Sequence, residues 1–136
     1  MPYSLRFVIL LLGAATLAGV ASVIILYGQE AAQARITAEQ ITGGNVEAGM
    51  AAIGRYGCGA CHDIPGISGA NGQVGPSLRA VGVRAEIAGV LANTPRNLVR
   101  WLRYPQEIIP GNGMPDQGVT EAEARHIAAY LYTIKR

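Results

Sequence analysis

The hydrophobic positions divide the chain into one long apolar run near the N-terminus and several short amphipathic segments after it. From Phe7 to Tyr27, 21 consecutive residues carry no charge. A helix rises by about 1.5 Å per residue, so this run would span about 32 Å, the thickness of a bilayer core. We therefore predict a transmembrane anchor in residues 1–27.

The same run has a second interpretation, a signal peptide that is cleaved. The apolar part of a signal peptide is usually shorter, about 7 to 15 residues, yet Ala32, Gln33 and Ala34 form an AxA triplet that a signal peptidase can read. The apolar length favours the retained anchor. Arg6 precedes the run and Glu30 follows it, which favours an N-terminus in the cytoplasm and a C-terminal domain on the outer side.

Helical periodicity continues beyond the apolar run. Residues 28–44 are polar and alanine-rich, which indicates a helical continuation or a tether that ends at the Gly43–Gly44 pair. We expect a separate domain in residues 45–136. Its first helix has Asn45 as N-cap, with apolar residues at helical spacing as far as Tyr56.

Three further helices are predicted in the domain, separated by long glycine-rich loops. A short helix is expected at residues 85–91, and a second begins at Thr94 and Pro95 and stops at Pro105. The last begins at Thr120, which with Glu123 has the spacing of a capping box. No window alternates between apolar and polar residues, so no strand is predicted and the fold class is all-α.

Composition narrows the classes of function. The net charge is +2, with ten Arg and one Lys against nine acidic residues, which is too balanced for a nucleic-acid binder. Aromatic residues are only 6% of a chain with 18 Gly, so a bound group is expected to fill part of the core. The only two cysteines exclude a disulfide scaffold.

The two cysteines belong to the segment Cys58-Gly59-Ala60-Cys61-His62, which has the CxxCH spacing of c-type haem attachment. In this chemistry both thiols add to the porphyrin vinyl groups, and the adjacent imidazole binds the iron. The alternative is a thiol–disulfide site. That alternative needs a βαβ context, which a chain without predicted strands does not offer.

A second iron ligand is predicted downstream. Met114 lies 52 residues after His62 in the segment PGNGMP, a loop between two helices that is rigid and permits close approach. Met50, Met1 and His126 are poorer candidates by position. His126 is interpreted as an ordinary histidine on the flank of the last helix.

Five short segments together resemble the class I cytochromes c of bacteria over about residues 44–136. They are CGACH, GPSL at residues 75–78, WLRYP at 101–105, GMP at 113–115 and the terminal AAYLYT helix. A narrower similarity is to the members that accompany terminal oxidases. The resemblance implies a small helical bundle around one covalent haem c, in which the first and last helices cross.

The resemblance also implies particular contacts. Gly49 and Ile53 should meet the terminal helix near Ala128 and Leu131. The carbonyl of Pro76 should accept a hydrogen bond from Nδ1 of His62 and so fix the imidazole tautomer.

The predicted function is one-electron transfer, not catalysis. Ligation by His62 and Met114 leaves no open iron position, so no small-molecule substrate is expected. The balanced charge predicts that a nucleic acid is not a partner. The expected route runs from a quinol-oxidising complex to a terminal oxidase or another high-potential acceptor, respiratory or photosynthetic, at the bacterial inner membrane with the haem domain on the periplasmic side. Candidate steering residues are Arg55, Arg79, Arg84, Arg96, Arg100 and Arg103.

Three alternatives stay open at this point. Signal cleavage would give a soluble, diffusing cytochrome c. A haem protein that binds a gas or acts as a peroxidase would result if Met114 were not a stable ligand. An accessory membrane subunit, whose transmembrane helix matters more than its haem, is the third.

Overall fold

The structure is a computed structural model that describes residues 2–136. Met1, which begins the predicted anchor, lies outside the described residues. Five α-helices, two short 3₁₀ turns and one small hairpin make up the described elements. They are α1 (Tyr3–Thr42), α2 (Val46–Arg55), a 3₁₀ turn at Cys58–Ala60, a second at Val81–Val83, β1 (Glu86–Ile87), β2 (Leu91–Ala92), α3 (Pro95–Arg103), α4 (Pro105–Ile108) and α5 (Glu121–Thr133). The prediction of a mostly helical chain is confirmed.

The chain divides into two compact units, the first ending at Gln33 and the second running from Ala34 to Arg136. Within the first unit, every described side chain is exposed, including the apolar ones of residues 7–27. Exposed apolar side chains in a single helix have no protein core to enter. By length and composition this helix can cross a membrane, and a signal sequence at this end of a chain has the same character.

The second unit begins with the last turns of α1. Ala38 and Thr42 are buried there. The Glu39 carboxylate accepts hydrogen bonds from the Val46 backbone N–H at 2.9 Å and from the Asn45 amide at 3.1 Å. Residues 34–42 are therefore packed onto the start of α2 by side-chain burial and by hydrogen bonds to its first residues.

Helices α2 and α5 pack closely against each other, as the resemblance implied. Asn45 caps α2 by accepting the Ala48 N–H at 2.9 Å. Gly49 lies at the crossing, where a Cβ atom would be 2.6 Å from the carbonyl carbon of His126 and 3.1 Å from Cβ of Tyr130. Only glycine permits this approach, because any side chain would overlap the backbone of α5.

The helix predicted at residues 85–91 is wrong. The chain forms a hairpin there, in which Glu86 pairs with Ala92 and Ile87 with Leu91. Ala88 and Gly89, at the centre of the turn, have φ of 52° and 72°. These two left-handed residues form a tight turn, closed by the Val90 N–H donating to the Ile87 carbonyl at 3.1 Å, and they interrupt an α-helix. The prediction that the chain has no strand is therefore also wrong, because this hairpin contains two short strands.

The remaining helix boundaries follow the predicted caps. Thr94 accepts the Asn97 N–H at 3.3 Å, with Pro95 in the first turn of α3. Thr120 accepts the Glu123 N–H at 3.3 Å at the start of α5. The Glu123 carboxylate also accepts a hydrogen bond from the Tyr56 hydroxyl at 2.5 Å, which links α5 to the end of α2.

Glu123 has a markedly lowered pKa, about 2 instead of 4.5. The hydrogen bond from Tyr56 is the largest cause, followed by those from Thr120 and Arg55. The ionised Glu123 carboxylate therefore links Arg55 and Tyr56, at the end of α2, with Thr120 at the start of α5.

Candidate functional site

The CxxCH segment follows directly from the end of α2. Gly57 is left-handed, with φ of 66°, and turns the chain out of the helix into the 3₁₀ turn that begins at Cys58. The His62 N–H donates to the Cys58 carbonyl at 3.0 Å. Both Cys58 and Cys61 are free and partly buried, and burial raises the pKa of the Cys58 thiol.

The imidazole of His62 is held in one orientation. Its Nδ1 lies 2.7 Å from the Pro76 carbonyl oxygen. A carbonyl can only accept, so Nδ1 carries the proton and the lone pair of Nε2 is free to bind a metal. Gly75 lies against the ring, and a Cβ there would be 2.8 Å from Nδ1.

The loop that carries Pro76 is fixed by a polar cluster that sequence reasoning missed. The Asp63 carboxylate accepts hydrogen bonds from the Ser77 hydroxyl and from Nε of Arg79, both at 2.9 Å. The bond from Ser77, followed by that from Arg79, lowers the pKa of Asp63. No spacing rule joins these residues, since the cluster closes only when the loop folds back on the residue after His62.

The loop that carries Met114 is also held by side chains that sequence reasoning did not single out. The Gln106 amide donates to the carbonyls of Met114 at 2.6 Å and Asn112 at 2.9 Å, and its oxygen accepts the Gly111 N–H at 3.0 Å. The Asn112 side-chain oxygen accepts the Met114 N–H at 2.7 Å. Gln106 lies four residues before the PGNGMP segment and Asn112 lies within it. Their closeness to Met114 in the sequence is the signal that could have identified them as supports of this loop.

One cavity of about 450 Å³ collects the predicted site residues. Cys58, Cys61, His62, Pro76 and Met114 all line it. Most of the other wall is apolar, with side chains from α2, α3 and α5 that include Ile53, Leu98, Trp101, Leu102, Ile127 and Leu131. The cavity has the size of a cofactor site.

The residues of this cavity fit a haem. Two thiols beside each other provide attachment points, and an imidazole and a thioether are suitable iron ligands. An apolar wall suits a flat macrocycle with little polar surface. The exposed Met50, on α2, does not line the cavity.

His126 has a structural role that its position in the sequence did not indicate. Its Nδ1 accepts the Asn45 backbone N–H at 2.9 Å, across the junction of α1, α2 and α5. The hydrogen bond requires Nδ1 to be unprotonated. His126 therefore secures the start of α2 and does not line the cavity.

The arginines predicted as steering residues have different surroundings. Arg55 pairs with Glu123 at 3.0 Å, Arg79 with Asp63 at 2.9 Å and Arg103 with Glu121 at 3.4 Å. Arg84 donates to two backbone carbonyls. Among residues 2–136, the Arg96 and Arg100 side chains form no ion pair.

Comparison with known proteins gives the class to which this geometry belongs. The family model for cytochrome c matches residues 46–135, and the chain belongs to the cytochrome c family. It is also similar to cytochrome c oxidase subunit 2 of Bacillus sp. (strain PS3), with 33% identity over 88 residues. No solved structure matches the chain.

The match to the oxidase subunit is partial in both directions. It covers 62% of this chain and 25% of the relative, so the chain spans about a quarter of the length of that protein. Family membership assigns a covalent haem c and electron transfer to this chain.

Proposed function

We propose that the chain is a membrane-anchored monohaem cytochrome c that transfers single electrons, and that His62 and Met114 are the residues that would bind the iron. The observation that carries the proposal is that both side chains line one apolar cavity together with the thiols of Cys58 and Cys61. The bound haem supplies an iron that cycles between the ferric and ferrous states.

Each residue of the site has a defined role in this proposal. Cys58 and Cys61 attach the haem through two thioether bonds, and Pro76 holds His62 with Nε2 free for the metal. The thioether of Met114 would bind the iron and so keep water and substrate away from it. As a soft ligand in an apolar wall, it favours the ferrous state and a high potential.

Carbon monoxide binding tests the ligation. Ferrous wild-type protein should bind carbon monoxide weakly, whereas Met114→Ala should bind it readily because the sixth position is open. Met50→Ala is the matched control, since Met50 is exposed on α2, and it should behave like the wild type. Tight binding by the wild type would contradict ligation by Met114 and would favour a gas-binding haem protein.

We further infer that residues 1–27 are a retained anchor, that residues 28–44 connect it to the domain at 45–136, and that the domain is on the periplasmic side of the inner membrane. The uncharged run of 21 residues supports the anchor. Mass spectrometry of the haem-staining species in salt-washed membranes tests it. A full-length chain plus one haem is expected; a haem-bearing chain that starts near Arg35 in the soluble fraction would show that the segment is a signal.

The proposed electron route leads from a quinol-oxidising complex to a terminal oxidase. Similarity to a cytochrome c oxidase subunit supports the acceptor side. Membranes from a strain that lacks this chain should consume oxygen more slowly with a quinol as donor, and the haem-loaded full chain should restore the rate. Unchanged oxygen consumption in the deletion strain would contradict this route.

A further inference from the structure

Helix α3 separates the haem cavity from a second concavity on its opposite face. Leu98 and Leu102 are buried and line the haem cavity. Arg96, Arg100 and Arg103 follow one another at helical spacing on the other face, where they line a groove of about 800 Å³. The two concavities share no lining residue.

The groove has an excess of positive charge. Arg103 and Arg125 converge on a single carboxylate, that of Glu121, at 3.4 Å and 2.8 Å. Arg96 and Arg100 line the same groove, and within residues 2–136 neither has an ion-pair partner. Like charges four residues apart on a helix repel each other, so an anion placed between them would relieve this repulsion.

Arg103 has an unused donor. Its Nε is buried and has no hydrogen-bond partner among the described residues. The guanidinium lies over the Tyr104 ring, 4.6 Å from the ring centre, which restricts its orientation. A buried donor without an acceptor is costly, so the single contact with Glu121 leaves the Arg103 guanidinium incompletely hydrogen-bonded.

The groove also has apolar surface between the arginines. Ile41 from the end of α1, and Pro95 and Val99 from α3, line it, and Ile41 is 49% exposed. This combination suits a chain segment that carries both carboxylates and apolar side chains. A planar bilayer surface would contact protruding cations and would not enter a concavity.

We propose that this groove, defined by Arg96, Arg100, Arg103, Arg125 and the apolar residues between them, binds an acidic segment of a partner protein. Charge complementarity identifies the occupant, and arginine forks match its carboxylates. Because the groove is separate from the haem cavity, the segment would hold the partner without covering the cavity. This inference does not rest on the proposed electron route, since its test measures binding alone.

The test uses the haem-loaded full chain in nanodiscs of zwitterionic lipid. The probe is a fluorescein-labelled peptide that alternates glutamate with leucine, and binding is followed by fluorescence anisotropy at low and physiological salt. The double variant Arg96→Glu/Arg100→Glu should bind the peptide about tenfold more weakly or worse. A matched reversal at the exposed chain end, Lys135→Glu/Arg136→Glu, makes the same change in net charge and should bind like the wild type.

Additional measurements distinguish binding in the groove from a general effect of net charge. The neutral variant Arg96→Gln/Arg100→Gln should show an intermediate loss, and its haem absorption and thermal unfolding report whether the fold is intact. A peptide with glutamine in place of glutamate should not bind. Equal losses in the two reversed variants, or no loss in either, would overturn the proposal. The proposal would also be overturned if anionic lipid in the nanodiscs abolished peptide binding by occupying Arg96 and Arg100, because the groove would then bind a lipid headgroup.

Discussion

Gly49 offers the sharpest test of how this domain is held together. At the crossing of α2 and α5, a Cβ atom on Gly49 would be 2.6 Å from the carbonyl carbon of His126 and 3.1 Å from Cβ of Tyr130. Gly49→Ala should therefore push the two helices apart. The atoms in the way belong to the backbone of α5 and to its first side-chain carbon, so no flexible side chain can move aside.

The magnitude follows from two opposing effects. Replacing glycine by alanine inside a helix gains about 1 kcal/mol from helix propensity. Overpacking a tight core contact costs about 1 to 3 kcal/mol, and the backbone overlap at Gly49 places the cost at about 3 kcal/mol. The net effect is a loss of about 2 kcal/mol, or about 10 °C in the unfolding temperature of a domain of this size.

The control is on the same helix. Gly54 has no neighbour within 4 Å of the position that a Cβ atom would take, so Gly54→Ala should gain about 1 kcal/mol and raise the unfolding temperature by about 5 °C. Thermal unfolding of the haem-loaded chain, followed by circular dichroism, measures both variants. If Gly49→Ala is as stable as Gly54→Ala, the close crossing of α2 and α5 is wrong.

Three further variants test single contacts. Glu123→Gln should destabilise the protein at pH 7. The pKa of Glu123 is about 2 in the folded protein against an ordinary 4.5, so the stabilisation by its carboxylate is full above pH 4.5 and is lost as the pH falls towards 2. Denaturant unfolding should therefore show a smaller difference between the variant and the wild type at pH 3 than at pH 7. Gln106→Ala removes the amide that holds the Met114 carbonyl, and imidazole should then bind the haem iron about tenfold more tightly in optical titrations. Gly75→Ala should displace the His62 ring from its carbonyl partner, which weakens the imidazole as a donor and raises the midpoint potential in redox titration.

Each of the three has a matched control. Glu107→Gln changes a carboxylate that forms no ion pair among residues 2–136 and should leave the pH dependence of unfolding unchanged. Gln73→Ala, in the loop before Gly75, should bind imidazole like the wild type, and Gly54→Ala should keep the wild-type potential. Equal losses of stability by Glu123→Gln at pH 3 and pH 7 would contradict the role of the Glu123 carboxylate. Gln106 and Gly75 variants that match their controls would contradict the contacts assigned to those residues.

Local chemistry made several features predictable from the sequence. A run of apolar, uncharged residues predicts a helix long enough to cross a membrane. The helix starts at Thr94 and Thr120 follow from hydroxyls that accept nearby N–H groups. The spacing of Cys58, Cys61 and His62 predicted a haem attachment segment because all three groups lie within one short turn.

Features that depend on distant residues were not predictable in the same way. The hairpin at residues 86–92 replaced a predicted helix because Ala88 and Gly89 are left-handed, a conformation that the apolar pattern does not record. His126 holds the start of α2 through a residue 81 positions away, and its helical position alone suggested only a surface group.

The sequence by itself determined the chemistry that is available: two thiols and an imidazole at fixed spacing, a methionine in a rigid loop, and a long apolar helix. The tertiary structure decided which groups meet. It brought Met114 to the cavity of His62, supplied Gln106 to hold the Met114 loop, and placed four arginines around a separate groove. Spacing along the chain encodes contacts within a helical turn, whereas contacts between distant segments arise only when packing of the core brings those segments together.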